Sequence, residues 1–223
     1  MASAAEQMAA NLSWGQLGKA TELRQRIWFT IGVLIMYRIG TYIPVPGIDG
    51  AALRNFMDQA SSGIGGMLSM FTGGALGRMG VFALGIMPYI SASIIVQLLT
   101  SMVPSLEQLK KEGETGRKKI NQYTRYGTVA LALFQAYGLA RSLEAGGLAH
   151  EPGLFFQASV VITLVGGTMF LMWLGEQITA RGVGNGISLI IFVGILAEIP
   201  AALATFFQQG RTGAISTPVI LFV

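Results

Sequence analysis

Apolar positions in this chain run in long blocks separated by short charged connections, and strict alternation of apolar and polar residues is absent. Met79–Val103 is 25 residues without a charge and Pro152–Gly175 is 24. Each exceeds the roughly 20 residues that an α-helix needs to cross the hydrocarbon core of a bilayer. Three further blocks are interrupted near their ends. Ile27–Tyr37 meets Arg38 before apolar character resumes to Ile43, Tyr126–Ala140 lies between Arg125 and Arg141, and Gly182–Ala197 lies between Arg181 and Glu198 and continues through Phe207. Arginines at span ends reach the headgroup layer along their aliphatic stems, so these blocks also qualify. The pattern predicts an all-α, polytopic membrane bundle with spans at about 27–43, 79–103, 124–143, 153–175 and 184–207, and residues 212–223 as the start of a sixth.

Composition agrees with lipid as the solvent. Of 223 residues, 52% are hydrophobic and only 12% charged, against about 25% charged in soluble domains. Disordered chains are poor in apolar residues and are excluded. The absence of cysteine excludes a disulfide scaffold, a thiolate metal site and a cysteine nucleophile.

The charge is sorted as well as scarce. Lys19, Arg24 and Arg26 precede the first span, Lys110, Lys111, Arg117, Lys118, Lys119 and Arg125 follow the second, and Arg181 follows the fourth. Two thirds of the basic residues thus fall on one side, which the positive-inside bias assigns to the cytoplasm together with the N-terminal segment 1–26. That segment has no continuous apolar core and is interrupted by Glu22, so no cleavable signal peptide is expected. Leu12, Trp14 and Leu17 suit either a short amphipathic surface helix or a frayed tail.

Three features exceed what a simple bundle needs. Ser61–Gly80 is mildly apolar, broken by six glycines and closed by a seventh, Gly80. It reads either as a re-entrant segment or as an external loop resting on headgroups, and composition favours the loop. On the second span, Ile86, Ile90, Ser93, Gln97 and Thr100 follow at steps of four and three and so share one helix face, aliphatic at the outer half and polar at the inner half. Such a stripe either packs on a neighbouring helix or lines a wet path. Pro88 within it should kink the helix. On the fifth span, Ile187, Ile191, Gly194 and Glu198 share a face in the same way. Glu198 is a functional candidate by virtue of its depth, or an interfacial residue by its position before Pro200.

Catalytic motifs are not supported. Gly182-Val-Gly184-Asn-Gly186 follows a lipid-embedded helix instead of a strand, so it fails as a dinucleotide loop. The run Lys110–Lys119 lacks phosphate-loop spacing, and positive-inside topology accounts for its charge. His150 stands beside Glu151 with no second ligand near it in sequence, and no paired carboxylates face each other within a span. Neither an enzyme nor a cofactor is expected. A multispan transporter or ion channel remains the alternative among passage functions.

Four stretches carry a resemblance. VFALGIMPYISASIIVQLL (81–99), LGEQITARGVGNGISLIIF (174–192), KKEGETGRKKINQYTRYGT (110–128) and YIPVPGID (42–49) resemble, in order and sidedness, motifs of the SecY family, which forms the pore of the bacterial protein-conducting channel. The likeness runs from about Gly18 to Gln209 and implies the first half, about 27–209, of a ten-span clamshell. It further implies that Ile86, Ile90, Ile187 and Ile191 belong to an aliphatic pore ring. Residues 61–77 would form a plug that includes Ile64, Met67, Leu68, Met70, Phe71, Gly73, Gly74 and Leu76. Ser91, Ser93, Gln97 and Thr100, with the third span, would line one side of a lateral gate. The basic loop 104–125, through Lys110, Lys111, Arg117, Lys118 and Lys119, would meet cytoplasmic partners. The implied partners are SecE and SecG, the motor ATPase SecA, the ribosome with signal-bearing nascent chains, and membrane lipid, with no sequence-specific nucleic acid. The implied site is the bacterial cytoplasmic membrane.

Overall fold

The computed structural model describes residues 21–50, 53 and 72–211. The N-terminal surface helix and the start of a sixth span, expected from sequence, lie outside the described residues. Among those described, six helices are defined: α1 (Thr21–Gly40), α2 (Met87–Met102), α3 (Pro104–Lys111), α4 (Glu114–Ala145), α5 (Leu154–Arg181) and α6 (Gly186–Arg211). Backbone pairing of β type is limited there to two isolated bridges.

α4 is the scaffold. It is 32 residues long, about 48 Å at 1.5 Å per residue. Thr124, Thr128, Ala132, Ala136 and Ala140 recur at every fourth position and are all buried. Small side chains let backbones approach closely, which is how helices associate where lipid removes the hydrophobic incentive. α4 packs on α2 along one side and on α5 along the other. The threonine hydroxyls are satisfied within the helix, Thr124 Oγ1 donating to Ile120 O at 3.0 Å and Thr128 Oγ1 to Thr124 O at 2.7 Å. At one end of the α4–α5 seam, Arg125 forks onto Glu176, Nε to Oε1 at 2.9 Å and Nη2 to Oε2 at 2.6 Å, the bidentate geometry that fixes orientation as well as distance.

α5 and Gly186–Ala204 of α6 are each long and apolar enough to cross a membrane, and the bent pair α2–α3 is a third candidate. The block expected at 124–143 falls within α4, whereas that expected at 27–43 is helical only as far as Gly40, the end of α1. Two expectations are corrected. Residues 104–125 are not a loop: α2 breaks at extended Val103, α3 leaves at 99°, and α4 is already helical from Glu114. Pro104 explains the break, because a proline disfavours helical backbone in the residue before it. Nor does Pro88 kink a longer helix. α2 starts at Met87, so Pro88 occupies the first turn, where the missing N–H has no partner to lose.

Between Thr72 and Ile86 the chain is irregular and yet largely buried. The 42–49 connection is pinned on both sides. Val45 N donates to Met79 O and Val81 N to Ile43 O, both at 2.9 Å, while Asp49 N donates to Leu148 O at 3.0 Å and His150 N to Gly47 O at 3.1 Å. Phe82 fills the notch left by Gly40 and stacks between Tyr37 and Phe170, with centroids 6.1 Å away on each side. The α5–α6 turn is drawn against α1, since Thr30 Oγ1 accepts from Val183 N at 3.1 Å. Asn185 Oδ1 caps α6 by accepting from Ile187 N and Ser188 N. The glycines there thus serve close packing: a side chain at Gly186 would collide with the Gly175 carbonyl.

Gly167 gives a direct test of this packing. A Cβ there would collide with the Val81 carbonyl, whereas one at Gly166 would meet nothing within 4 Å. Gly167→Ala should therefore lower the thermal unfolding midpoint in detergent, at a cost of about 1–3 kcal/mol. Gly166→Ala should leave the midpoint in place. Equal midpoints for the two variants would contradict the seating of Val81.

Candidate functional site

α1, α2, α5 and α6 converge on one apolar cavity. Its walls include Tyr37 from α1, Ile86 and Ile90 at the start of α2, Leu171 from α5, and Ile190 and Ile191 from α6. The enclosed space is about 20 Å³, room for about one water. No charged side chain among the described residues lines it.

Each wall has a local cause. Ile86 is the N-cap of α2, and its carbonyl accepts from Ile90 N at 3.0 Å, so the two isoleucines stand one turn apart. Ile86 is buried and Ile90 half-buried. Ile187 is placed one turn from Ile191 and packs over Gly175 of α5, in the same apolar cluster. The structure thus brings Ile86, Ile90 and Ile191 around the cavity and sets Ile187 beside it. Ile190, Leu171 and Tyr37 were not singled out from sequence. Ile190 shares the three-then-four spacing of Ile187 and Gly194, a signal that was available. Leu171 lies in an evenly apolar span that marks no face.

The turn that follows Thr72 packs into the same cluster through Ala75, which is fully buried. Gly73 and Gly74 take positive φ, +63° and +77°, a backbone region that excludes most side chains. Thr72, Gly73, Gly74 and Ala75 are all buried. For the described part of the Gly-rich segment, this overturns the reading as a loop resting on headgroups. Leu76 is half-buried and its N–H donates to Thr72 Oγ1 at 3.2 Å. Ile64, Met67, Leu68, Met70 and Phe71 lie outside the described residues. The α6 face marked by spacing is the face that meets this turn. A Cβ on Gly73 would lie 3.1 Å from Gly194 Cα, and one on Gly74 would lie 2.5 Å from Glu198 Oε1. Glu198 is accordingly half-buried against protein.

The polar stripe of α2 is satisfied by its own helix. Gln97 Nε2 donates to Ser93 Oγ at 3.3 Å and Thr100 Oγ1 to Gln97 O at 2.6 Å. Ser91 and Gln97 are exposed, Ser93 is half-buried and Thr100 is buried. Pro88, Ala92, Val96 and Thr100 form the buried side of α2, and Ala92 faces Gly127 of α4. Ile94, Ile95, Leu98, Leu99 and Met102 are exposed on the same helix. Lys110 and Lys111 end α3, and Arg117, Lys118 and Lys119 lie in the first turns of α4; all five are exposed. Lys111 pairs with Glu107 at 2.8 Å. Among the described residues no cluster of His, Asp and Glu is arranged to hold a metal.

Comparison with known proteins bears on this geometry. The SecY family model matches residues 80–223. The protein translocase subunit SecY of Escherichia coli strain K12 is 55% identical over 210 residues, covering 92% of this chain and 47% of the relative. Among solved structures, Sec61 in the canine ribosome–channel complex from the endoplasmic reticulum superposes with a TM-score of 0.61 at 21% identity, over 86% of this chain and 42% of that one. A SecY structure, from work in which its plug domain stabilises the closed channel and maintains a membrane seal, gives 0.59 at 21% identity over 86% and 41%. At that identity the likeness establishes the fold. The chain spans about half the length of the curated relatives it matches. With the family model matching well over half of its residues, the chain belongs to the SecY family.

Proposed function

We propose that this chain supplies the first half of a protein-conducting channel, which passes unfolded polypeptide across the bacterial cytoplasmic membrane and releases hydrophobic segments sideways into lipid. The observation that carries this reading is the convergence of Ile86, Ile90, Ile190 and Ile191 from two helices on a cavity without charge. Branched aliphatic side chains offer a passing chain neither a hydrogen bond nor an ion pair, and a narrow apolar constriction resists water and ions by dewetting. Ile187, packed beside them, completes the proposed ring of Ile86, Ile90, Ile187 and Ile191.

Five spans cross the membrane, in α1, α2, α4, α5 and α6. The Gly-rich segment 61–77 is the plug, with Ile64, Met67, Leu68, Met70, Phe71, Gly73, Gly74 and Leu76. The half-exposed α2 face bearing Ser91, Ser93 and Gln97, with Thr100 at its inner end, is one lip of the lateral gate. Its weak internal hydrogen bonds leave little to break when the seam opens. Lys110, Lys111, Arg117, Lys118 and Lys119 present charge toward cytoplasmic partners. SecE, SecG, the SecA motor and the ribosome are those expected, the last supported by the ribosome complex of the Sec61 relative in fold. Energy enters through such partners; the chain itself acts as a passage.

A transporter would gather charged or polar groups at mid-depth. The apolar cavity wall speaks against that alternative.

Three outcomes are expected. A photoreactive residue in place of Ile90 should crosslink to a stalled secretory chain in an active complex, and absence of an adduct there would sink the ring assignment. Deleting residues 64–76 should let ions through the complete channel at rest; unchanged conductance in planar bilayers would remove both plug and pore. Reporters fused after Lys119 and after His150 should give cytoplasmic and external signals respectively, and the reverse pattern would invert the topology.

A further inference from the structure

The turn Thr72–Ala75 is held unequally by its two neighbours. Towards α1 it is bound by directional hydrogen bonds: Arg38 Nη1 donates to Gly73 O at 3.0 Å and Tyr37 Oη donates to Thr72 O at 3.4 Å. Towards α6 it meets the Gly194 backbone and the Glu198 carboxylate. A Cβ on Gly73 would at once touch Arg38 Nη1 at 3.0 Å, Gly194 Cα at 3.1 Å and Tyr37 Oη at 3.3 Å. The turn is therefore a wedge with no slack between the two helices. Through Ala75 it joins the apolar cluster of Ile86, Leu171 and Ile190.

The two carbonyls sit on buried residues, where an unpaired acceptor carries its full desolvation cost. Arg38 supplies the stronger of the two donors, because a hydrogen bond from an ionised group is about twice as strong as a neutral one. The same guanidinium lies 5.6 Å from the ring centroid of Tyr42, and Arg78 stands over that ring at 4.5 Å. The exposed Tyr42 and Arg78 thus buttress the outer side of Arg38.

We propose that Arg38 is a positioning residue that latches the Thr72–Ala75 turn to the end of α1, so that the turn stays seated at rest against the apolar cluster that holds Ile86 and Ile190. This rests on the channel reading above. Arg38 touches neither the cavity nor a passing chain; it acts through the Gly73 carbonyl. Glu198 faces the α6 side of the turn without replacing that bond.

The test is the resting ion conductance of the complete channel in planar bilayers, read beside its rate of polypeptide transport. Arg38→Met removes the donor and keeps an apolar stem. It should raise resting conductance about tenfold, the scale of one charge-assisted hydrogen bond, while transport stays within about twofold of the parent. Arg38→Lys keeps a cationic donor and should restore most of the seal. A merely structural role would lower transport and assembly together, and that result overturns the latch, as does parent-level leak in Arg38→Met. Should Arg38→Met fail to accumulate, Gly73→Ala decides in its place, because its Cβ forces the turn off Gly194 and Arg38; parent-level leak there also overturns the proposal. The 64–76 deletion separates the two layers. Conductance in the deletion with a silent Arg38→Met defeats the latch alone, whereas silence in both defeats the channel reading with it.

Discussion

Irregular backbone that is buried must find its hydrogen bonds inside the protein, and residues 72–86 are where this chain meets that demand. Their amides close on one another in tight turns, Gly80 N on Ala75 O, Ala83 N on Gly80 O and Gly85 N on Phe82 O, each at 2.8 Å. The carbonyls of Thr72 and Gly73 are taken by Tyr37 and Arg38. Val81 bonds to Ile43, and its carbonyl sits where Gly167 has no side chain. The segment also positions part of the candidate site. It sets where α2 begins, hence where Ile86 and Ile90 stand, and it spaces α1 from α6.

The helices divide the remaining work. α4 with its small-residue stripe fixes α2 and α5 at close range, and the Arg125–Glu176 fork orients one end of that seam. An ion pair this exposed contributes little net stability, so its value lies in geometry. α6 meets the wedge through a glycine and a carboxylate, and meets α5 through glycine notches and a hydrogen bond from Gly186 N to Thr179 Oγ1 at 2.9 Å.

Much of this was legible in the residues. Each of the five apolar blocks overlaps a helix, although 79–86 is irregular, and the four-and-three spacing of Ile86, Ile90, Ile187 and Ile191 marked faces that point at or beside one cavity. The sequence was less informative wherever a residue's meaning depends on a distant partner. Pro88 reads as a kink until the start of α2 is known, and the seven glycines of 61–80 suit a surface loop until Thr72–Ala75 are found buried. The Lys-rich connection reads as a loop because charge hides helical propensity from a hydropathy pattern, although Glu114 to Arg125 is continuous helix. Ile190 and Leu171 were missed because in a wholly apolar helix every face looks alike.

What the sequence alone determined is the solvent, the helical blocks, the sidedness of the charge and the faces of α2 and α6 that bear the isoleucines. These are properties of residues near in the chain, set by transfer free energies and by 3.6-residue periodicity. Only the tertiary structure decided that Arg38 meets Gly73, that Gly194 meets the same turn, and that Arg125 meets Glu176. Those pairs join residues 35, 121 and 51 positions apart, and no local pattern encodes them. They exist because buried carbonyls and charges must be satisfied by whatever the packing brings within reach.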